Sequence, residues 1–167
     1  MKLLFITLFI PSLVFSWEIT SCEFSKNKSS ADIVYSKTIK IKRVEIKEGK
    51  VLMPVEENKG RIYENIKLIS KKAYENILNS FSSGKCASTQ KDSVLSFKIT
   101  KVKKLKSEHR IANAEAEFGD VFLAVFGIMK NKDGEIWAAF PKDLEVLDKD
   151  FESKIKKEII KSAPSAK

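Results

Sequence analysis

The sequence predicts an α+β fold of two tandem units, each a curled antiparallel sheet of about four strands with one C-terminal covering helix. Short β-rich segments alternate with turn signals, each unit closes with an amphipathic segment of helical period, and the same order of elements occurs twice. The predicted boundaries are 1–16 for a signal peptide, 17–81 for the first copy, 82–94 for a linker, 95–161 for the second copy and 162–167 for a disordered tail.

The two copies match element by element. The matched segments, all predicted strands, are 17–22 with 97–102, 31–35 with 111–118, 38–46 with 121–128, and 51–54 with 136–141. The match of the first strands rests on Ile-Thr, which begins at Ile19 and at Ile99. Glu48-Gly49 and Asp133-Gly134 mark the hairpin before each fourth strand. Ser70 and Asp148 are the predicted N-caps of the closing helices. Chance similarity is the alternative explanation of this order.

The third strands change their alternation midway. Ile41 and Val44 share a face only if one extra residue, at Lys42-Arg43, forms a β-bulge. A similar parity change between Val125 and Phe126 predicts a matching bulge in the second copy.

The composition is that of a basic globular chain. Among 167 residues, 43% are hydrophobic and 32% charged, and 31 Lys and Arg against 22 Asp and Glu give a formal net charge of +9. One histidine and two cysteines leave little material for a zinc site or a general base. We therefore expect no catalytic residue, no metal and no cofactor.

The first sixteen residues have the pattern of a secretory signal. Lys2 precedes an apolar run over residues 3–15, and the small residue Ser16 follows. We expect cleavage between Ser16 and Trp17, which removes one lysine and lowers the net charge from +9 to +8. No transmembrane span is expected afterwards, because a spanning helix needs roughly 20 apolar residues. A buried N-terminal helix or an uncleaved anchor are the alternatives.

The cysteines leave several possibilities open. Ile19-Thr20-Ser21-Cys22 resembles the lipobox of bacterial lipoproteins, in which Cys22 would carry lipid, although Trp17 and Glu18 separate it from the apolar run. The main expectation is therefore periplasmic or extracellular export without lipid. In an oxidising space Cys22 and Cys86 could form a disulfide, or Cys22 could be a small core residue.

Several segments of the two copies resemble a known family. The residues that carry it are Ile99-Thr100-Lys101-Val102, Phe118-Gly119-Asp120-Val121-Phe122 and Gly134-Glu135-Ile136-Trp137-Ala138-Ala139-Phe140-Pro141 in the second copy, with Met53-Pro54 and Tyr63-Glu64-Asn65-Ile66 in the first. They resemble the SpoVG family, the stage V sporulation or septation regulator proteins of bacteria. Members are small, non-enzymatic dimers linked to septation, and several bind nucleic acid. The resemblance implies a binding role in cell division and an internal pseudo-dimer of the two copies.

Two features depart from the family. Its members usually carry basic residues after Met-Pro, whereas residues 55–61 begin acidic and keep only Lys59 and Arg61, and residues 142–145 are shorter and mixed in charge. The predicted signal peptide is the second departure, because an exported protein does not meet the chromosome.

Basic clusters are the candidate binding residues. They are Lys40, Lys42, Arg43 and Lys47 on the third strand, Lys59 and Arg61 after Met-Pro, and Lys101, Lys103, Lys104 and Lys106 near the start of the second copy. Such clusters suit an anionic polymer, nucleic acid or an acidic envelope protein. Alternatively, lysines on a sheet edge block strand-to-strand aggregation. The aromatic residues that could stack on bases are interpreted as core: Phe122, Phe126 and Trp137.

We therefore expect an exported, non-enzymatic binding or interaction protein of the cell envelope. A nucleic-acid-binding septation regulator that keeps the role of the SpoVG family is the alternative.

Overall fold

The computed structural model describes residues 17–86 (the first half) and 96–164 (the second half), and its fold is of the predicted α+β class. The first half contains β1 (Ile19–Phe24), β2 (Ser30–Tyr35), β3 (Ile39–Lys47), β4 (Lys50–Leu52), β5 (Glu56–Asn58), β6 (Arg61–Tyr63), β7 (Ile66–Leu68) and α1 (Lys71–Ser83). The second half contains β8 (Phe97–Lys104), β9 (Arg110–Phe118), β10 (Phe122–Lys130), β11 (Ile136–Ala139), β12 (Leu144–Val146) and α2 (Lys149–Lys161). The predicted signal peptide, residues 87–94 of the predicted linker and residues 165–167 of the predicted tail lie outside the described residues.

Each half donates one short strand to the sheet of the other. In the first 5-stranded sheet, β3 pairs with β2 along one edge, while β12 and β4 share its other edge. In the second, β10 pairs with β9 along one edge, while β7 and β11 share the other. All these pairings are antiparallel. The β5–β6 hairpin forms a separate 2-stranded sheet.

Equivalent backbone hydrogen bonds hold the two exchanged strands, β12 and β7, in place. They are Leu147 N–H to Thr38 O (2.7 Å) and Lys42 N–H to Asp143 O (2.8 Å) around β12, and Ile69 N–H to Val121 O (3.1 Å) and Val125 N–H to Asn65 O (2.8 Å) around β7. The two halves therefore have equivalent strand orders, and each contributes one strand to the sheet of the other.

The prediction of two tandem units, each with a sheet of about four strands, agrees with this fold only in part. The four matched strands and the closing helix occur in both halves, but each sheet gains a fifth strand from the other half. These strands, β7 and β12, are 3 residues long. A segment so short has no readable alternation, and its pairing partner lies in the other half of the sequence.

The bulge predicted in the first half is confirmed. Ala31 pairs with Val44 and Ile33 with Ile41, so β3 holds one more residue than β2 across this interval. Arg43 takes a left-handed φ of 58°, and its backbone N–H donates to Asp32 Oδ1 at 3.0 Å. The conformation of the bulge is thus fixed by an aspartate on the neighbouring strand.

The matching bulge predicted between Val125 and Phe126 is wrong. Strand β10 pairs with β9 without interruption from Phe122 to Ile128, and the irregularity lies further on, where β9 has the extra residue Ile111. The inward residues are Phe122, Ala124, Phe126 and Ile128. This alternation is difficult to see in the sequence because the alanine at position 124 is small. Val121, Leu123 and Val125 therefore look like the residues that face the core.

The first strands align two residues away from the predicted match. Ile19 lies opposite Tyr35, and Phe97 lies opposite the equivalent Phe118, so Ile19 corresponds to Phe97 rather than to Ile99. Each strand has an irregularity, but β1 has it after Ile19 and β8 has it after Ile99. The repeated Ile-Thr therefore does not mark equivalent positions.

The helices begin where the sequence predicts. Ser70 Oγ accepts from the backbone N–H of Ala73 at 3.1 Å, and Asp148 Oδ1 accepts from that of Phe151 at 2.9 Å. Such side-chain caps satisfy amides that the first turn leaves without partners. Helix α1 packs on β1, β4 and β7, while α2 packs on β10, β11 and β12. Each helix thus covers its own half and also touches an exchanged strand.

Both halves share one hydrophobic core. Trp17, with only 4% of its surface exposed, lies 5.6 Å from Phe118, 6.2 Å from Phe122 and 5.8 Å from Phe151, measured between ring centroids. Its indole Nε1 donates to the carbonyl of Ser96 at 3.0 Å. The first described residue of the chain is therefore a core residue of the second half.

Candidate binding surface

A disulfide joins Cys22 of β1 to Cys86, which follows α1. The Cα atoms are 5.7 Å apart and the sequence separation is 64 residues. Closing a loop of this length contributes on the order of 4 kcal/mol in the chain-entropy description of disulfides. The bridge leaves neither sulfur available as a nucleophile or a metal ligand. It points to an oxidising environment, with which export is compatible.

Most of the predicted cluster on β3 is already neutralised by ion pairs. The pairs are Lys40 Nζ with Glu23 Oε2 (3.2 Å), Lys42 Nζ with Glu145 Oε2 (2.7 Å) and Arg43 Nε with Asp143 Oδ1 (2.7 Å), the last reinforced by a second contact between Nη2 and Oδ2. Lys47 stands apart at the end of β3, opposite Lys50. In the described residues, three of the four cations of this cluster are therefore paired, which leaves only Lys47 for a polyanion.

Two of the three acidic partners, Asp143 and Glu145, come from the other half of the chain. Residues 142–145 look like a loop of mixed charge in the sequence, but Leu144 and Glu145 belong to β12, and Asp143 is buried beside them. The hydrogen bond from Lys42 lowers the pKa of the Glu145 carboxyl and raises the pKa of the Lys42 ammonium. Lys42 and Arg43 thus hold the exchanged strand.

Lys59 and Arg61 lie on the β5–β6 hairpin, which has no counterpart in the second half. Lys59 occupies its turn with a left-handed φ of 51°, next to Gly60. Glu56 of the same hairpin accepts from the backbone N–H of Lys142 at 2.8 Å and so attaches it to the second half. Glu57 lies on the hairpin as well, so this feature is mixed rather than strongly basic.

The predicted cluster around β8 keeps unpaired cations. Lys101 lies 3.9 Å from Glu115, but no carboxylate in residues 17–86 and 96–164 pairs with Lys103, Lys104 or Lys106. Strand β8 is the outer strand of its sheet. Lys103 points to the outer face beside Asn113, whereas Lys104 lies opposite Ala112 on the other face.

A row of three side chains continues this basic edge across the outer face of the second sheet. Met129 of β10 pairs with Arg110 of β9 on one side and with Trp137 of β11 on the other. The interpretation of Trp137 as a core residue is wrong, since 44% of its surface is exposed. Phe122 and Phe126, interpreted in the same way, are fully buried.

Arg110 is held in place on this face. Its Nε donates to Asn113 Oδ1 at 2.8 Å. A Cβ atom at Gly127 would lie 3.0 Å from Arg110 Nε and 3.3 Å from Met129 Sδ, so the absence of a side chain at Gly127 makes room for the arginine. Five residues therefore form one surface, which we call the basic aromatic face. They are Lys103, Arg110, Asn113, Met129 and Trp137.

The sequence revealed only part of this face. Lys103 belongs to a predicted cluster, while Arg110 and Trp137 do not. The signal that could have found them is the alternation of β10, because a strand with Phe126 and Ile128 inside places Met129 outside. Because Arg110 and Trp137 both pair with Met129, their side chains lie on the same outer face of the sheet.

Comparisons of the chain with family models, with curated proteins and with solved structures find no match. The resemblance to the SpoVG family therefore stays a prediction. No helix in the described residues is long and apolar enough to cross a bilayer. In the same part of the chain, no three His, Cys, Asp or Glu side chains come together as a metal site would require.

Proposed function

We propose that the protein is an exported, non-enzymatic binding protein of the cell envelope, and that the basic aromatic face binds an anionic glycan polymer there. The observation that carries the proposal is a single outer face that bears the exposed Trp137 of β11, Arg110 of β9 and, at the β8 edge, Lys103, which has no carboxylate partner in the described residues. A flat indole ring suits the apolar face of a sugar, and the cations suit its acid groups.

Two features support export without lipid. Trp17 and Ile19 are buried in the core, so cleavage before Trp17 keeps both, whereas lipobox cleavage before Cys22 would remove both. The sulfur of Cys22 is bonded to Cys86 and is not free for lipid attachment. These features favour a periplasmic or extracellular protein over the lipoprotein alternative.

The two halves are further proposed to be divergent SpoVG-like copies that form a pseudo-dimer within one chain. The support is the equivalent strand order of the two sheets and the reciprocal exchange of β7 and β12. On this proposal, residues 17–81 and 95–161 are the two copies, although each sheet includes one strand from the other copy.

Binding is tested by fluorescence anisotropy with labelled polygalacturonate, an anionic glycan, on the disulfide-bonded protein from Trp17 onward. Lys103→Gln and Trp137→Ala should each weaken binding by about tenfold, a loss of about 1.4 kcal/mol. Lys98→Gln is the matched control on the same strand, because Lys98 pairs with Glu117 at 2.7 Å. Affinity should fall steeply as salt rises, since exposed charges are screened. Equal binding by Lys103→Gln, Trp137→Ala and Lys98→Gln would exclude this face.

A nucleic-acid-binding septation regulator is the second candidate, because bases also stack on an exposed tryptophan, and Arg110 lies on the same face two strands away. The same titration with labelled single-stranded DNA separates the two. Tighter binding of the glycan supports the envelope role. Tighter binding of DNA that also depends on Trp137 would replace it with the nucleic-acid role.

A further inference from the structure

A pocket of about 370 Å³ lies between α1, the start of β1 and the turn from β9 to β10. Its apolar floor is formed by Trp17, Ile19, Tyr35 and Val121, and Ala73 lines it from the helix. The volume falls within the roughly 300–1,000 Å³ that small-molecule sites occupy in proteins. It is separate from the basic aromatic face, so an inference about it does not rest on the proposed function.

The pseudo-symmetry of the fold explains why this pocket exists in one half. The matched residues are Ile19 with Phe97 and Tyr35 with Phe118, by strand register, and Ala73 with Phe151, by position after the helix cap. In the second half the ring of Phe97 lies 5.8 Å from Phe118 and 5.6 Å from Phe151, so the equivalent space is filled. In the first half, the smaller side chains of Ile19 and Ala73 leave the corresponding space open.

The helix wall of the pocket is also unlike its counterpart. Short neutral side chains of α1 stand where α2 has charged ones: Asn76, Asn79, Ser80 and Ser83 match Lys154, Lys157, Glu158 and Lys161. Ser80 Oγ is buried and donates to the carbonyl of Asn76 at 2.9 Å, which leaves its lone pairs to accept. The wall therefore offers hydrogen bonds and no net charge.

Charges of both signs lie at the rim. Lys72, in the first turn of α1, and Lys85, beyond its end, are exposed cations, and Asp120 in the β9–β10 turn is an exposed anion. In the described residues, Lys72, Lys85 and Asp120 form no ion pair. The positive end of the α1 dipole adds to the charge of Lys72. A ligand with a carboxylate and an ammonium group would meet a partner for each.

We propose that this pocket binds a small zwitterion, a free amino acid or a dipeptide, with its carboxylate toward Lys72 and its ammonium group toward Asp120. The neutral wall of α1 hydrogen-bonds the polar atoms between them, and the apolar floor receives the side chain.

The experiment screens the common L-amino acids and glycine-containing dipeptides one by one for a rise in Tm, which a ligand of the folded state produces by mass action. The strongest binder is then titrated by calorimetry against four variants. Ala73→Phe refills the pocket as Phe151 does in the second half, Lys72→Gln and Asp120→Asn remove the charged partners, and Lys71→Gln is the control. Lys71 is a neighbour outside the pocket that pairs with Glu75 at 3.3 Å.

Binding that weakens by about tenfold or more in Ala73→Phe and Lys72→Gln, but not in Lys71→Gln, supports the site. Asp120→Asn should weaken the free amino acid and leave its weaker N-acetyl derivative unaffected, because that derivative has no ammonium group. Lys72→Gln and Asp120→Asn change exposed residues, so they remain informative if Ala73→Phe does not fold. The absence of any Tm shift across the screen, or equal binding by Lys71→Gln and Lys72→Gln, would overturn the proposal.

Discussion

Arg43 and Asp143 lie 100 residues apart in the chain and form a two-point ion pair between the halves. The Asp143 side chain is only 6% exposed, while that of Arg43 is 56% exposed. A buried carboxylate requires such a partner, because leaving it unpaired costs its full desolvation. Arg43 stands in the bulge of β3, next to Lys42, whose backbone N–H donates to the carbonyl of Asp143.

Arg43→Ala should lower the free energy of unfolding by about 2 kcal/mol, because Asp143 then stays buried without its partner. Lys67→Ala is the control, since Lys67 and Glu64 form an exposed pair at 3.0 Å, and should change stability by less than about 0.5 kcal/mol. Urea unfolding followed by circular dichroism measures both. Equal effects of the two substitutions would show that the cross-half pair has no special role.

Gly119→Ala should be more damaging than Gly49→Ala. Both glycines have left-handed φ values, 55° and 73°, but a Cβ at Gly119 would lie 2.6 Å from Trp17 Cδ1, while one at Gly49 meets nothing within 4 Å. We expect about 1 kcal/mol for Gly49→Ala, from the backbone alone, and about 3 kcal/mol for Gly119→Ala. Urea midpoints measure the difference, and a red shift of Trp17 emission should accompany only the second. Similar losses would mean that Trp17 does not pack on this turn.

Tyr35→Phe should raise the free energy of unfolding by about 1 kcal/mol, since removing an unsatisfied buried hydroxyl removes its desolvation cost. The Tyr35 hydroxyl is buried without a hydrogen-bond partner in the described residues, and burial raises the pKa of this side chain far above its usual value. The second half already has phenylalanine, Phe118, at the equivalent position. Thermal unfolding measures the change, and a loss of stability would reveal a bonded partner for the hydroxyl.

The ion pair of Lys42 with Glu145 should make stability depend on pH at both extremes. The pKa of Glu145 is lowered by Lys42 in the folded chain, so its contribution is present above the ordinary carboxyl pKa and is lost as pH falls through the folded value. The pKa of Lys42 is raised, so its contribution is lost as pH rises through that folded value. Glu145→Gln should flatten both limbs of the curve of unfolding midpoint against pH.

In Glu145→Gln, the curve of unfolding midpoint against pH should keep part of its slope on the acid side. Hydrogen bonds from Lys156 and Lys149 lower the pKa of Glu152 in the same direction. Glu145→Gln combined with Glu152→Gln should therefore be flatter below about pH 5 than either single variant. A wild-type curve that Glu145→Gln leaves unchanged at both limbs contradicts this explanation.

Local signals in the sequence predicted most elements of the fold. Caps at Ser70 and Asp148, the Asp-Gly and Glu-Gly turns and the bulge at Lys42-Arg43 depend on neighbouring residues, and the structure has all of them. The strand exchange depends on pairing between distant segments, and β7 and β12 are too short to carry a pattern of their own.

The candidate site was less predictable for the same reason. Lys42 and Arg43 look like free cations until Glu145 and Asp143 reach them through the exchange. Trp137 looks like a core residue until its pairing with Met129 places it on the outer face. The partners of Lys42 and Arg43 lie in the other half of the sequence, whereas Met129 is close to Trp137 in the sequence and the misread alternation of β10 concealed the exposed position.

Export of a chain that begins at Trp17 is tested most directly by fractionating cells that make the native protein, then sequencing its N-terminus and alkylating its cysteines without reductant. We predict a protein in the envelope or the medium that begins at Trp17, with Cys22 and Cys86 unreactive until a reductant is added. A protein found in the cytoplasm with its first sixteen residues and two reactive thiols would contradict export and the binding role that depends on it.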